Sequence, residues 1–227
     1  LAVLDADDAM VPDRLARMIA LGERHGADAV YDDLQPVDET GAPTGGPYLG
    51  GPEAPPAGRW DLGTFLAGCS GRAGRPSMGY LKPVLRADFL RREGLRYDES
   101  LRNGEDFLLM AELLARGGTL WFTPESGYDY TTRAGSISSR LDPDHARALA
   151  IADAAFLRRH GAAIAPEAAE MLRVRGTRLA DLAAAEAAIA ALREGRPLGA
   201  VKPLLARPRA MGRLVRQLGA AARRRLP

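Results

Sequence analysis

Within its first eight residues the chain sets three carboxylates side by side: Asp5-Ala6-Asp7-Asp8 follows directly on the apolar run Leu1-Ala2-Val3-Leu4. The run reads as a buried strand and the aspartates as its tip. Residues two apart on a strand point the same way, about 6 to 7 Å apart, so this spacing presents Asp5 and Asp7 to one side while Asp8 begins the turn. Carboxylates so crowded repel one another unless a cation shares them. Their hard oxygens suit Mg2+ or Mn2+, ions that keep positions open for water and substrate phosphates. That chemistry is a metal-diphosphate site, placed beyond a strand's carboxyl end, where open α/β sheets bind ligands. The structural alternative is turn and helix-start chemistry, since Asp caps backbone N–H groups and favours the positive end of a helix dipole.

A second acidic pair, Glu105-Asp106, heads a helical segment that runs through Phe107 to Arg116 and stops at Gly117-Gly118. A carboxylate there can accept a proton from a substrate. In a first helical turn it also gains about 0.3 to 1 kcal/mol from the dipole with no catalytic duty. Arg133 and Arg140 carry forked donors that match phosphate oxygens, although arginines flanking a turn are most often solvated surface charge. His25 and His160 each precede a helix-ending glycine and read as dipole partners. Trp60, Tyr80 and Trp121 have rings that stack on sugars, but core packing is the commoner role.

The elements that must position these groups follow from pattern. Pro12 opens a helix through His25, with Leu15, Met18 and Ile19 at helical spacing and Gly26 as the stop. A strand from Ala29 through Val37 leads to a turn at Asp38-Glu39-Thr40-Gly41. From Gly41 to Gly58 eleven of eighteen residues are Gly or Pro, too many for a regular element, so this stretch is a long loop, either a lid or an inert insertion. Further on, the pattern predicts a helix at Trp60–Leu66, a strand at Gly79–Leu85, a helix at Ala87–Arg92 closed by Gly94, and strands at Thr119–Thr123 and Tyr128–Thr132. Beyond Asp142-Pro143 it is helical only: residues 143 to 160, then 166 to 194 with Gly176 as a break or close-packing point. The tail from Arg196 reads as a basic amphipathic helix around Met211, Leu214, Val215 and Leu218.

With 227 residues, 46% of them hydrophobic, the chain can bury a sizeable core. Its single cysteine, Cys69, excludes an internal disulfide and fits a reducing compartment; three histidines and one cysteine are too scattered for a zinc site. No apolar run approaches the roughly 18 residues of a membrane span, and no secretory leader is evident. The net charge of +2 hides an asymmetry, because residues 195–227 hold nine Lys/Arg and no acid, leaving 22 bases against 29 acids upstream, a net of −7. An acidic body with a basic tail points to an anionic partner for the tail, such as a membrane surface.

Taken in order, Leu4-Asp5-Ala6-Asp7-Asp8, Tyr97-Asp98-Glu99-Ser100-Leu101, Gly104-Glu105-Asp106-Phe107 and Tyr130 through Gly135-Ser136-Ile137-Ser138 resemble the motifs of the family-two glycosyltransferases with the GT-A fold. The resemblance runs from Leu1 to about Arg140. It implies an α/β fold, a GT-A (Rossmann-like) mixed sheet flanked by helices and lacking its first strands, followed by a helical C-terminal extension. The parts would be residues 1–140 as the C-terminal part of the catalytic domain, 141–195 as a helical extension and 196–227 as a basic tail. The implied activity is inverting transfer of a sugar from a nucleotide-sugar donor to a saccharide or lipid-linked acceptor hydroxyl, in polysaccharide or glycolipid synthesis. Mn2+ or Mg2+ would sit on Asp7, with Asp5 beside it toward ribose and metal. Asp106 would be the base, Glu105 its support, and Arg133 and Arg140 phosphate ligands. The implied setting is cytoplasmic, peripheral at the inner face of the membrane, with no nucleic acid.

In the family, strands that hold base and ribose precede the aspartate motif, so the resemblance also implies a donor pocket half present here: as a fragment of a longer product the full protein would be active, and as the whole product the chain would show little or no transferase activity. The Gln-x-x-Arg-Trp motif of processive synthases is absent, which favours single-sugar transfer. Two rival readings remain at this level. A haloacid-dehalogenase-like phosphatase also places Asp-x-Asp after an apolar strand, but Ala9 stands where its Thr or Val belongs and no later Gly-Asp-x-x-x-Asp completes the site. The other is a non-catalytic fragment or binding module.

Overall fold

The computed structural model describes residues 1–50, 55–70, 76–132, 143–212 and 215. Its centre is a pair of long parallel strands, β2 (Ala29–Val37) and β5 (Leu120–Thr131), with three short strands added antiparallel: β1 (Ala9–Met10) and β3 (Gly58–Trp60) on β5, and β4 (Val84–Leu85) on β2. Six of the nine β2 residues, from Ala29 to Leu34, are buried in one run, the mark of a central strand covered on both faces. Helix α1 (Arg14–His25) covers one face through Met18, which packs with Ala27 and Val30. The other face carries the main core, where Tyr31, Phe65 and Phe122 meet α2 (Leu62–Cys69) and α4 (Glu105–Ala115). A 3-10 turn (Met78–Tyr80) and α3 (Ala87–Glu93) complete the α/β part.

Three helices follow: α5 (Pro143–His160), α6 (Pro166–Arg193) and α7 (Pro197–Ala206). The first two are not separate from the sheet, since Leu149, Phe156, Ala168 and Leu172 belong to the same buried cluster as Tyr31 and Phe107. Glu112 on α4 ties α5 further, accepting from Arg159 and pairing with His160 at 2.7 Å. Burial alone would raise the Glu112 pKa, but Arg159 and His160 hold it below the ordinary carboxylate range.

Several expectations need correction. Leu1–Leu4 is not a buried strand: its one sheet contact is an isolated bridge from Ala2 to Val84, and Leu1 and Leu4 are exposed. The partner strand β4 is only two residues long, because Pro83 offers no N–H and Arg86 leads into α3. For the same reason Gly79–Leu85 is a 3-10 turn followed by a short strand. Helix α1 begins at Arg14, not Pro12, since the Val11 N–H still bonds the Gly127 carbonyl and keeps the chain in the sheet. Trp60 ends a strand, and the helix after it starts at Leu62, capped by the Asp61 side chain on the Thr64 N–H. The two strands foreseen around residues 119–132 are one. Pro124 and Gly127 produce a register irregularity opposite Asp32–Leu34 instead of a break. Helix α6 runs through Gly176 without a break, and the glycine is instead a packing point, where a Cβ would stand 3.6 Å from that of Asp153.

Candidate active site

The acidic segment is a turn. The Asp8 N–H bonds the Asp5 carbonyl at 3.2 Å, so the chain leaves the extended conformation at Asp5 and the strand argument that put Asp5 and Asp7 on one face does not hold. Each aspartate instead has its own surroundings. The Asp8 carboxylate accepts from the Thr131 N–H and the Tyr128 hydroxyl, both at 2.8 Å, which staples the turn to the carboxyl end of β5. Burial raises the Asp8 pKa against those two bonds. The Asp7 carbonyl accepts from the Thr131 hydroxyl, while the Asp7 residue is exposed. Asp5 donates its N–H to the Tyr128 oxygen at 3.0 Å and points its carboxylate at Lys82, 2.9 Å from Nζ.

Lys82 also reaches the second motif. Its Nζ lies 3.5 Å from Asp106 Oδ2, so one ammonium bridges the turn at the chain's start and the head of α4, about a hundred residues apart in sequence. Asp106 Oδ1 accepts from the Tyr97 hydroxyl at 2.9 Å. Tyr97 is presented by its own motif: Asp98 accepts from the Ser100 N–H and hydroxyl, closing a turn that buries Leu101. Gly104, at φ 86°, lets the chain enter α4 beneath Leu149, whose Cδ2 lies 2.7 Å from where a Cβ would stand. Glu105 makes no bond to Asp106 among the described residues, and its Oε2 is buried without a partner there.

A buried ion pair sets the lysine. Arg14 is fully buried and grips Asp32 with two bonds of 2.8 and 2.7 Å, while the same Nη2 donates to the Lys82 carbonyl at 2.6 Å. Its guanidinium also lies over the Tyr128 ring, 5.1 Å from the centroid. Pro83 holds Lys82 extended, and Leu81 anchors the segment in the core. One arginine on α1 therefore organises both the tyrosine that clamps the aspartate turn and the backbone that aims the lysine.

The electrostatics follow. Burial pulls the Lys82 pKa down, but Asp5 and Asp106 outweigh it and hold the lysine above its ordinary value, firmly cationic. Tyr97 is pushed up by burial and by Asp106, and Tyr128 by burial and by Asp8, so both remain neutral donors. Asp33, beside Asp32, turns the other way: it accepts from the Leu49 and Leu34 N–H groups and anchors the Gly/Pro-rich loop, to which Tyr48 adds a bond from its N–H to the Leu34 carbonyl.

The structure thus brings Asp5 and Asp106 together through Lys82 and keeps Asp7 on the adjoining turn. Arg133 and Arg140 lie outside the described residues. Trp60 is core and stacks on Phe122, while Trp121 stacks on His25 at 3.5 Å. Among the described residues no three His, Cys, Asp or Glu side chains group to cage a metal. The oxygen-only donors of an exposed turn still fit a Mg2+ or Mn2+ held by one or two carboxylates and by substrate phosphates. Lys82, Tyr97 and Tyr128 escaped the sequence reading. Tyr97 sat inside a recognised motif, but nothing local marks Lys82 except its place before Pro83.

Fold and site together define a lysine-bridged acidic centre at the carboxyl end of a mixed α/β sheet. By sequence the chain is a relative of succinoglycan biosynthesis proteins of Rhizobium meliloti (strain 1021): it is 36% identical to ExoO over 224 residues, 99% of this chain and 63% of ExoO. It is 35% identical to ExoU over 159 residues, 69% of this chain and 45% of ExoU. The chain spans less than two thirds of the length of either relative. No protein-family model matches. Among solved structures, S. aureus TarS 1-349 in complex with UDP-GlcNAc superposes with a TM-score of 0.48 at 14% identity, covering 87% of this chain and 64% of that one. The mixed sheet flanked by helices is the fold the motif resemblance to family-two glycosyltransferases implied.

Proposed function

We propose that this chain carries the reaction centre of an inverting, metal-dependent glycosyltransferase that moves a sugar from a nucleotide-sugar donor to an acceptor hydroxyl in polysaccharide synthesis. The observation that supports the reading is the Lys82 bridge, whose ammonium lies between Asp5 and Asp106. The relatives' role in succinoglycan biosynthesis supports it.

In this reading the acceptor oxygen attacks the anomeric carbon as the bond to the nucleoside diphosphate breaks, and the acceptor proton passes to Asp106. Tyr97 on one oxygen and Lys82 on the other fix that carboxylate and leave lone pairs for the incoming proton. Asp7 would hold the Mn2+ or Mg2+, with Asp5 directing Lys82 and facing the ribose. The metal, when bound, supplies neutralising charge for the departing diphosphate. Lys82 adds a second fixed cation close to where that charge develops. Arg133 and Arg140 would contribute phosphate contacts, and Glu105 would support the head of α4. The acceptor is a saccharide or a lipid-linked saccharide, the setting is cytoplasmic, and residues 196–227 face an anionic membrane surface.

Calorimetry of the full-length protein with UDP and GDP, with Mn2+ present or chelated, tests the donor side. Metal-dependent affinity for one nucleotide is expected, weakened about tenfold or more in Asp7→Asn. Affinity independent of both metal and Asp7, or no affinity for any nucleoside diphosphate, would refute it.

A further inference from the structure

We infer that α7 and the turn after it form an interfacial anchor that seats this chain on an anionic lipid bilayer. The inference deepens the membrane-facing part of the reading above and stands without the transferase chemistry. Helix α7 has two unlike faces. Inward, Ala200 packs on Ala188 and Ala191 of α6 with Leu204 beside it, and Ala210 beyond the helix end packs on Ala184 and Ala185. The contact is so close that a Cβ on Gly199 would stand 3.2 Å from Ala191. Small residues on α6 thus fix α7 in one rotational setting.

That setting points the large aliphatic side chains at solvent. Leu198 is 85% exposed, Leu205 75% and Val201 46%, at the i, i+3, i+7 spacing of one helical face. Met211 and Val215 are exposed in the continuation. Isolated apolar residues on a surface are ordinary, but three on one face of a helix whose inner face is already satisfied, with two more exposed in the segment after it, make a surface built to be covered.

Charge selects the occupant. Lys202 shares the exposed face, and Arg196, Arg207 and Arg209 flank it. Arg196 pairs with Glu194, and Arg207 sits 3.9 Å from Asp181. The segment from residue 195 itself holds no acid against its nine bases, and the acids that meet Arg196 and Arg207 lie upstream of it. Aliphatic residues rimmed by Lys and Arg match a bilayer boundary carrying anionic headgroups, where acyl chains take the apolar row and headgroups the cations. Among the described residues no helix is long and apolar enough to cross a membrane, so the contact is one of lying on the surface.

Vesicle sedimentation with the full chain tests this, using phosphatidylcholine vesicles with and without phosphatidylglycerol, and a Leu198→Ser/Val201→Ser/Leu205→Ser variant. These side chains are exposed, so circular dichroism and elution volume should not change. The wild-type chain should bind the anionic vesicles about tenfold or more tighter than neutral ones, and the variant should lose about tenfold. Equal binding by the variant, no binding by the wild type, or a concentration-dependent dimer that the variant abolishes would overturn the inference; the last would assign the face to a second copy. Titration of the variant with UDP and Mn2+ keeps the two readings apart. The anchor fails on vesicles alone, and the transferase reading fails on nucleotide alone.

Discussion

An ammonium held by two carboxylates cannot be removed without leaving both exposed to each other's charge. Lys82→Met should therefore lower nucleotide-sugar turnover by about a hundredfold or more, the scale seen when one fixed electrostatic donor is lost. Lys82→Arg should restore only part of it, because a planar fork does not reproduce a point charge between Asp5 and Asp106. Turnover of nucleoside diphosphate in the full-length protein checks both; equal activity of Lys82→Met and wild type would remove the lysine from the centre. At this scale the aspartates were legible because their motifs are local, whereas Tyr97 lay inside a recognised motif without being singled out. Lys82 was not legible, since its role depends on Arg14, 68 residues away in sequence, fixing its carbonyl.

Between elements, stability concentrates where backbone irregularity makes room for buried charge. Gly127 lies in the irregular stretch of β5, and a Cβ there would stand 2.7 Å from Asp32 Oδ2 and 2.9 Å from Arg14 Cγ. Gly127→Ala should destabilise by about 1 to 3 kcal/mol as the ion pair shifts, read by urea unfolding. A change within a few tenths would show that the pair adapts freely. A second charged contact joins α5 to α6: Asp153, with Oδ2 buried and unpartnered among the described residues, meets Arg175, which lies over Phe107 at 3.9 Å. Burial, opposed by Arg175, lifts the Asp153 pKa to about 6. The folded state therefore binds this proton more tightly than the unfolded chain. Its contribution to stability is largest below the unfolded value of 3.8 and is lost as pH rises through about 6. Between pH 5 and 7 it should cost about 1 kcal/mol, and Asp153→Asn should erase that slope in urea titrations at the two pH values. An unchanged slope would contradict the assignment. Helices α1, α3, α4 and α5 were readable because their periodicity and glycine stops are local. The short strands were not, because β1, β3 and β4 exist only through pairing with β2 and β5 far along the chain.

Across the whole molecule, one core serves the sheet and the first two C-terminal helices, so the head of α4 is braced from behind by Leu149, while farther along the helix Glu112 ties it to Arg159 and His160 of α5. Carboxylates converge at the carboxyl end of the sheet, while the aliphatic side chains of α7 and its cations face outward. The fold class and the pairing of two distant acidic motifs could be anticipated from motif order. The exposed setting of Leu1–Leu4 could not, because apolar sequence specifies burial only where a partner surface exists. The central claim is that Asp106 is the base of a sugar-transfer centre. Nucleoside diphosphate release from a panel of nucleotide-sugars by the full-length protein, compared with its Asp106→Asn variant, tests it most directly. The account predicts acceptor-dependent release that falls by about 10²- to 10⁴-fold in the variant while Mn2+-dependent nucleotide affinity is kept; release undiminished by Asp106→Asn would contradict it.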